Sequence, residues 1–425
     1  MYLLKVVLSW QLYFQVDENP ELPSLIQTCI NEGVRQKDLP ETLNRKHGIQ
    51  ISLRSVQKIS KECGIVTSRR NGLTSEQQAM AIGSVLEDDP TNQWGSRTVK
   101  EKLALRGVHV PRDNIAAYQR ALNPAGVEMR NPSSGVGHPH GLWSTGPNED
   151  WCCDGHEKLL RQMGIAVYGF NDKFSRVELG LWAAPSARSI DLPPALFIRL
   201  IKKKKGMPLM VTADMGTETG KLISLVNTLR DKCVKLSRES IPAFKSVKST
   251  KNIVRERAWR PIYHKELSNV LYEHNLGLVT SGYQENDALH YDVKFWLWGR
   301  IVQLRLDEII KESEIHKVRK QQDILLPSSA RRIDMYEDPT RFNGKDCLID
   351  VPEEWIEELT AQYDRPDLLQ FGSDDAVAMC EDAYRAIGEP RLSAKVGWDV
   401  FNSMVAYLID TGYQYYSSLS QYYSN

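Results

Sequence analysis

Trp151-Cys-Cys-Asp154-Gly-His156, Val211-Thr-Ala-Asp214-Met-Gly216-Thr-Glu218 and Asn252-Ile-Val-Arg-Glu256-Arg-Ala-Trp259 decide how this 425-residue chain is read. Each phrase sets one carboxylate beside residues that end a strand or open a helix. Around the first, the runs 151–154, 165–170 and 177–182 are short and rich in aromatic and β-branched residues. Turns at Met163-Gly164 and Asp172-Lys173 make them an expected antiparallel meander. Pro193 to Lys202 predicts a helix with Leu196, Phe197 and Leu200 inward and its prolines tolerated in the first turn. Leu209-Met-Val-Thr212 predicts a fourth strand that delivers Asp214 at its end, and Phe244-Lys-Ser-Val247 a fifth. Gly220–Leu229 reads as a helix, and 252–274 as another, interrupted by Pro261. Meander, helix, strand, helix, strand, helix is an α/β order with a mixed five-stranded sheet.

Outward toward the start, residues 20–122 predict two trihelical units. In the first, Gly48-Ile49-Gln50-Ile51-Ser52 leads into a helix over 53–62, with Ser52 as N-cap and Gly64 as its stop. Val56 and Ile59 point inward there, and Arg54, Gln57, Lys58 and Lys61 outward. In the second, Thr74-Ser75 opens a helix carrying Met80, Ile82 and Val85. Gly107-Val108-His109-Val110-Pro111 then precedes a last helix over 112–122. The pair reads as a duplicated helix-turn-helix, whose final helix suits a DNA groove, or as a bundle used for packing. Arg54 and Lys58 are the candidate DNA contacts in it. Residues 1–19 are of uncertain status. Met1–Trp10 is apolar but lacks a basic n-region and a small-x-small cleavage site, so it is not expected to be a secretory signal. The Pro-, Gly- and Ser-rich stretch 123–149 reads as a linker, with His138 and His140 as loop residues rather than ligands.

Outward toward the end, 284–312 predicts a long helix whose Trp296 and Trp298 are expected to pack in a core rather than stack bases. Residues 326–425, acidic and tyrosine-rich, predict a small appendage with no chemistry. The 54 basic and 54 acidic residues cancel, so bulk charge announces no nucleic-acid partner. Local charge does. Lys245, Lys248, Lys251, Arg255, Arg257 and Arg260 crowd one short segment in which Glu256 is the lone acid. Four consecutive lysines at 202–205 have the simpler explanation of cations at a helix C-terminus. Seven scattered cysteines without CxxC argue against structural zinc and for reduced thiols inside the cell, and the expected location is nuclear. No stretch has the apolar length of a membrane span, so no membrane partner is expected.

Four phrases carry a family resemblance. Gly146-Pro-Asn-Glu-Asp-Trp151-Cys-Cys-Asp154-Gly-His156-Glu-Lys158-Leu159 resembles the "GPN-x-x-W-x-x-DGH-x-KL" string of integrase-core-domain proteins. Tyr168-Gly-Phe-Asn-Asp172-Lys-Phe-Ser175-Arg176, the Asp214 phrase and the Glu256 phrase resemble the segments that follow it in retroviral and retrotransposon integrases and related transposases. The resemblance covers about 145–325 and implies a ribonuclease-H-like fold and DNA integration by a carboxylate triad. It carries the catalytic and metal-binding roles onto Asp154, Asp214 and Glu256, with Mg²⁺ or Mn²⁺ at a two-metal site. It also makes Lys248, Lys251, Arg255, Arg257 and Arg260 candidates for phosphate contacts, implies DNA as partner, and leads one to expect a homo-oligomer.

Two departures fall on Glu256. The 41 residues between Asp214 and Glu256 exceed the retroviral spacing, with the excess expected in 230–242, and Pro261 should kink the helix. His156 and Asn252 are candidates for positioning substrate, His156 alternatively a hydrogen-bonded residue near the strand end. Asp172 reads as a turn residue, Glu157 and Glu218 as surface. Against strand joining stand two alternatives: a catalytically silent, domesticated DNA-binding or chromatin-associated scaffold, and a metal-dependent nuclease without transfer.

Overall fold

A computed structural model describes residues 19–68, 70–124, 127, 142–248, 252–320 and 325–412. Most of the expected linker, the segment 1–18, Lys251, His138, His140 and the tyrosines beyond 412 lie outside these residues. The chain divides into two compact units, Met1–Val136 and Gly137–Asn425.

The first unit holds the two trihelical sets. Helices α1 (Leu22–Asn31), α2 (Leu39–His47) and α3 (Leu53–Glu62) enclose Ile26, Leu39, Leu43, Val56 and Ile59. The Ser52 hydroxyl accepts from the Ser55 N–H at 3.1 Å, so the expected cap forms. Helices α4 (Ser75–Leu86), α5 (Ser96–Leu105) and α6 (Arg112–Leu122) enclose Ile82, Val85, Trp94, Val99 and Ile115. Thr74 and Gln77 close a reciprocal capping box at α4. Met80, grouped with the apolar residues of that helix, is 73% exposed. The connections match as expected: Gly48 and Gly107 both sit at positive φ, 67° and 75°, where a side chain would be strained.

The second unit is built on a five-stranded sheet: β1 (Asp150–His156), β2 (Ala166–Asp172), β3 (Glu178–Ala184), β5 (Met210–Asp214) and β6 (Phe244–Val247). Their order is β3-β2-β1-β5-β6. The first three form the antiparallel meander, with the short helix α7 (Leu160–Met163) between β1 and β2, and β5 and β6 run parallel to β1. Alternating side chains feed two cores, as the period of two demands. Trp151, Cys153, Tyr168, Phe170, Val211 and Ala213 face α8 (Leu192–Lys204) and α9 (Gly220–Cys233). Val167, Leu181 and Ala183 face the opposite side, toward α10 (Ile253–Pro261), α11 (Ser268–Thr280) and α12 (Ala288–Ile315).

Pro261 does not end its helix. The chain passes from α10 into a π-helical stretch, Ile262–Leu267, and then into α11. A wider turn after a residue with no N–H absorbs the register change, so the proline shifts the hydrogen-bond ladder without terminating it.

The expected C-terminal appendage is instead part of both cores. Ile356 of α14 (Glu353–Tyr363) joins the α8 side, where Ile349–Asp350 (β7) pairs with Gly206–Met207 (β4). Met379 and Ala383 of α15 (Asp374–Ala386) and Trp398, Phe401 and Met404 of α16 (Gly397–Asp410) join the α12 side. There Trp296 and Trp298 are 4% and 1% exposed, packing residues as expected. A short helix, α13 (Arg332–Glu337), brings Tyr336 to the Gly146-Pro-Asn phrase, where its hydroxyl donates to Asn148 Oδ1 at 2.8 Å. Asn148 Oδ1 also accepts from Trp151 Nε1, its Nδ2 donates to Asp346, and its N–H donates to the Asp172 carboxylate. Asp172 further accepts from Ser175 Oγ and N, so it is the turn residue expected of it. Burial pushes its carboxyl up to about 6.

Candidate active site

The register of the parallel pair builds the site. Asp150, Trp151 and Cys152 lie opposite Met210, Val211 and Thr212. Continuing two residues along both strands sets Asp154 beside Asp214, on the face that Cys152 and Thr212 share. Both carboxylates are half-buried. Burial, more than any neighbour, pushes Asp154 up to about 7; its hydrogen bond to Trp259 and the Arg255 charge oppose this, and Asp214 and Glu256 add to it. Burial also raises Asp214. Burial disfavours the ionised form of both acids, and a cation bound between them would favour it.

Glu256 stands in the first turn of α10, where an acid suits the helix dipole, and it is exposed. Its charge reaches Asp154. Its carboxylate does not close with the two aspartates into a ready cluster: among the described residues, no three His, Cys, Asp or Glu side chains stand close enough to hold a metal. The structure thus brings Asp154 and Asp214 together and leaves Glu256 at the rim. The donor set still suits a hard divalent cation, being all carboxylate oxygen.

The basic run divides. Lys248, Arg257 and Arg260 are exposed, as is Lys245. Arg255 corrects the expectation of a phosphate contact. It is fully buried, bonded through Nη1 to the equally buried Glu178 of β3, and its guanidinium lies 3.9 Å from the centroid of the Trp259 ring. The cause is helical period: Arg255 points at the sheet, where Gly169 leaves it room, and its neighbours point away. In the first unit Arg54 is exposed on α3, while Lys58 stands 3.8 Å from Glu62.

His156 is 7% exposed and packs against Trp259 and Tyr263, ring centroids 4.8 and 5.4 Å away. Neither ring nitrogen has a hydrogen-bond partner among the described residues, so the hydrogen-bonded reading of this histidine does not hold. Burial, then the charges of Lys158, Arg255 and His264, lower it to about 4, and it is neutral near pH 7. Asn252 is buried and donates through Nδ2 to the Cys153 carbonyl at 3.1 Å, tying the start of α10 to β1. Trp259 was not singled out for the site by sequence reasoning, although it closes the third phrase: its Nε1–H donates to Asp154 Oδ2 at 2.9 Å. The glycine at 169, inside a strand, was the available signal that something approaches the sheet closely there.

Residues 143–327 match the integrase core domain family. Over this segment the chain is similar to integrase core domains. The match spans β1 through the residues just past α12, close to the limits implied by the four phrases, and the mixed sheet flanked by helices agrees with its ribonuclease-H-like fold. No curated protein matches the chain. Residues 332–410, which complete the two hydrophobic cores around the integrase core, lie beyond the matched segment.

Proposed function

We propose that this integrase core is a metal-dependent polynucleotide phosphotransferase that cleaves and joins DNA strands. The observation that carries the reading is the pair Asp154 and Asp214, half-buried on adjacent parallel strands, Asp214 at the end of its own, with the charge of Glu256 within reach. These three side chains would hold Mg²⁺ or Mn²⁺. When bound, such ions neutralise the attacking and leaving oxygens of a phosphodiester. Exposed Arg257, Arg260 and Lys248 would meet the phosphates of the strand being cut; Lys251, outside the described residues, is a further candidate from the sequence. Arg54 and Lys58 of α3 would bind duplex DNA. His156, neutral and without a hydrogen-bond partner among the described residues, offers a donor or acceptor for positioning substrate. Asn252 serves by holding α10 against β1. Joining two ends calls for more than one copy, so the working form is a homo-oligomer, and its DNA substrate places it in the nucleus.

A second reading is favoured by one observation. Glu256 is exposed and not gathered with the aspartates. A silent DNA-binding scaffold that kept the fold and lost the third ligand would look the same. Labelled oligonucleotides with Mg²⁺ or Mn²⁺ separate the readings. Cleavage followed by strand joining supports the phosphotransferase, cleavage alone a nuclease, and DNA binding with neither the scaffold.

A further inference from the structure

The three-carboxylate reading makes no use of the stack under Asp154. Trp259 is 4% exposed, and its indole N–H reaches Asp154 Oδ2 at 2.9 Å. The Arg255 guanidinium lies 3.9 Å from its ring centroid and is itself fixed by Glu178. The His156 ring stands 4.8 Å away. Gly169 faces Asp154 across the β1–β2 pair, and a Cβ there would come within 3.1 Å of Trp259 Cη2 and 3.3 Å of Arg255 Cζ. The strand therefore leaves a gap at the one place where the indole and guanidinium cross it.

We propose that Trp259 is a positioning residue for Asp154: its indole N–H fixes one carboxylate oxygen so that the remaining lone pairs are presented to a divalent cation. The inference rests on the metal-dependent reading given above. A carboxylate's terminal torsion is broad and two-fold, so nothing in the Asp154 side chain itself selects an orientation. An indole N–H only donates, so this bond forms with the acceptor that the ionised acid supplies. A carboxylate has about four lone-pair sites, and one donor leaves the others for ligands. The indole cannot follow a rotating carboxylate, because Arg255 and His156 pack against it. Outer partners of this kind typically change metal affinity 10–100-fold when removed.

A packing role alone predicts otherwise. Trp259 also belongs to the core that α12 and α16 share, so its loss would lower stability and leave metal affinity unchanged. Trp259→Phe separates the two, since it keeps an aromatic ring and deletes the donor. The test is calorimetric titration of Mn²⁺ into the full-length chain, with thermal unfolding run in parallel. Trp259→Phe should bind Mn²⁺ about tenfold or more weakly than wild type, with DNA affinity in EDTA unchanged. Equal or tighter Mn²⁺ binding overturns the positioning role while leaving the metal reading intact. Absence of Mn²⁺ binding by wild type overturns both. A second measurement does not depend on how Trp259→Phe folds. Among the indole N–H resonances of the wild-type protein, the one that Asp154→Asn displaces should also move on Mg²⁺ addition, with the midpoint found by calorimetry. An indole that Asp154→Asn displaces and Mg²⁺ leaves in place contradicts the proposal.

Discussion

Helix α10 has two faces with opposite fates. Arg255 and Trp259, four residues apart, are buried against the sheet, the first paired with Glu178 and the second bonded to Asp154. Glu256, Arg257 and Arg260 are exposed on the other side. In the sequence these five residues fall in one short run, four of them charged. In the structure two of them are buried against the sheet, Trp259 bonded to Asp154 and Arg255 to Glu178, and three face solvent. Charge density along a chain therefore overstates a binding surface whenever a helix turns part of it inward.

The sharpest way to break this contrast is at the inner face. Glu178→Gln or Arg255→Met leaves one buried charge without its partner and should cost about 3–5 kcal/mol of stability in denaturant unfolding. Replacing both by apolar residues of similar volume should recover most of that loss. If either single variant unfolds at the wild-type midpoint, Arg255 is not held as described.

The same logic extends to His274, buried beside Trp298 and Trp398 with ring centroids at 4.9 and 5.8 Å. Burial lowers its pKa from 6.5 to about 4. Between those values the unfolded chain takes up a proton that the folded one refuses, so stability falls as pH drops from 6.5 toward 4. The loss approaches about 3 kcal/mol below the folded pKa. In His274→Phe that part of the pH dependence of unfolding should vanish, leaving a flatter profile across this window. A profile parallel to wild type would show that the histidine titrates normally.

The outer face should behave in the reverse way. Arg257→Ala and Arg260→Ala should leave stability within about 0.5 kcal/mol. Each should lower the salt slope of DNA binding by about one. A stability loss as large as that of Arg255→Met would erase the distinction between the faces.

How much of this was legible beforehand follows from where each signal resides. The five sheet strands show in short apolar and β-branched runs, and every expected strand appears within a few residues of its place. The positions of Asp154 and Asp214 were legible because their phrases mark them locally, although β1 runs on past Asp154 to His156. The burial of Arg255 was not, because helical period says which residues share a face and not which face meets the sheet. Gly169 carried that information in one residue. The contribution of 332–410 was hidden for another reason. Met207 pairs with Ile349, and Trp398 Nε1 reaches the Glu273 and His274 carbonyls at 3.2 Å, contacts between segments far apart in sequence. Local pattern gives their helices and not their partners. Pro261 does interrupt the α-helix as expected, and what local pattern could not give is the π-helical stretch, with Ile262 and Leu267 in the core, that carries the helical run on.

The central claim is that Asp154 and Asp214 act as one unit on a nucleic-acid phosphate. It is tested most directly by Mg²⁺-dependent cleavage of labelled DNA by wild type, Asp154→Asn, Asp214→Asn and the double variant at matched DNA occupancy. The expected result is that each single variant loses as much activity as the double, because groups that act together are not additive, while DNA affinity stays close to wild type. Asp154→Asn cleaving and joining as wild type does, on every DNA and RNA substrate tried, would contradict it.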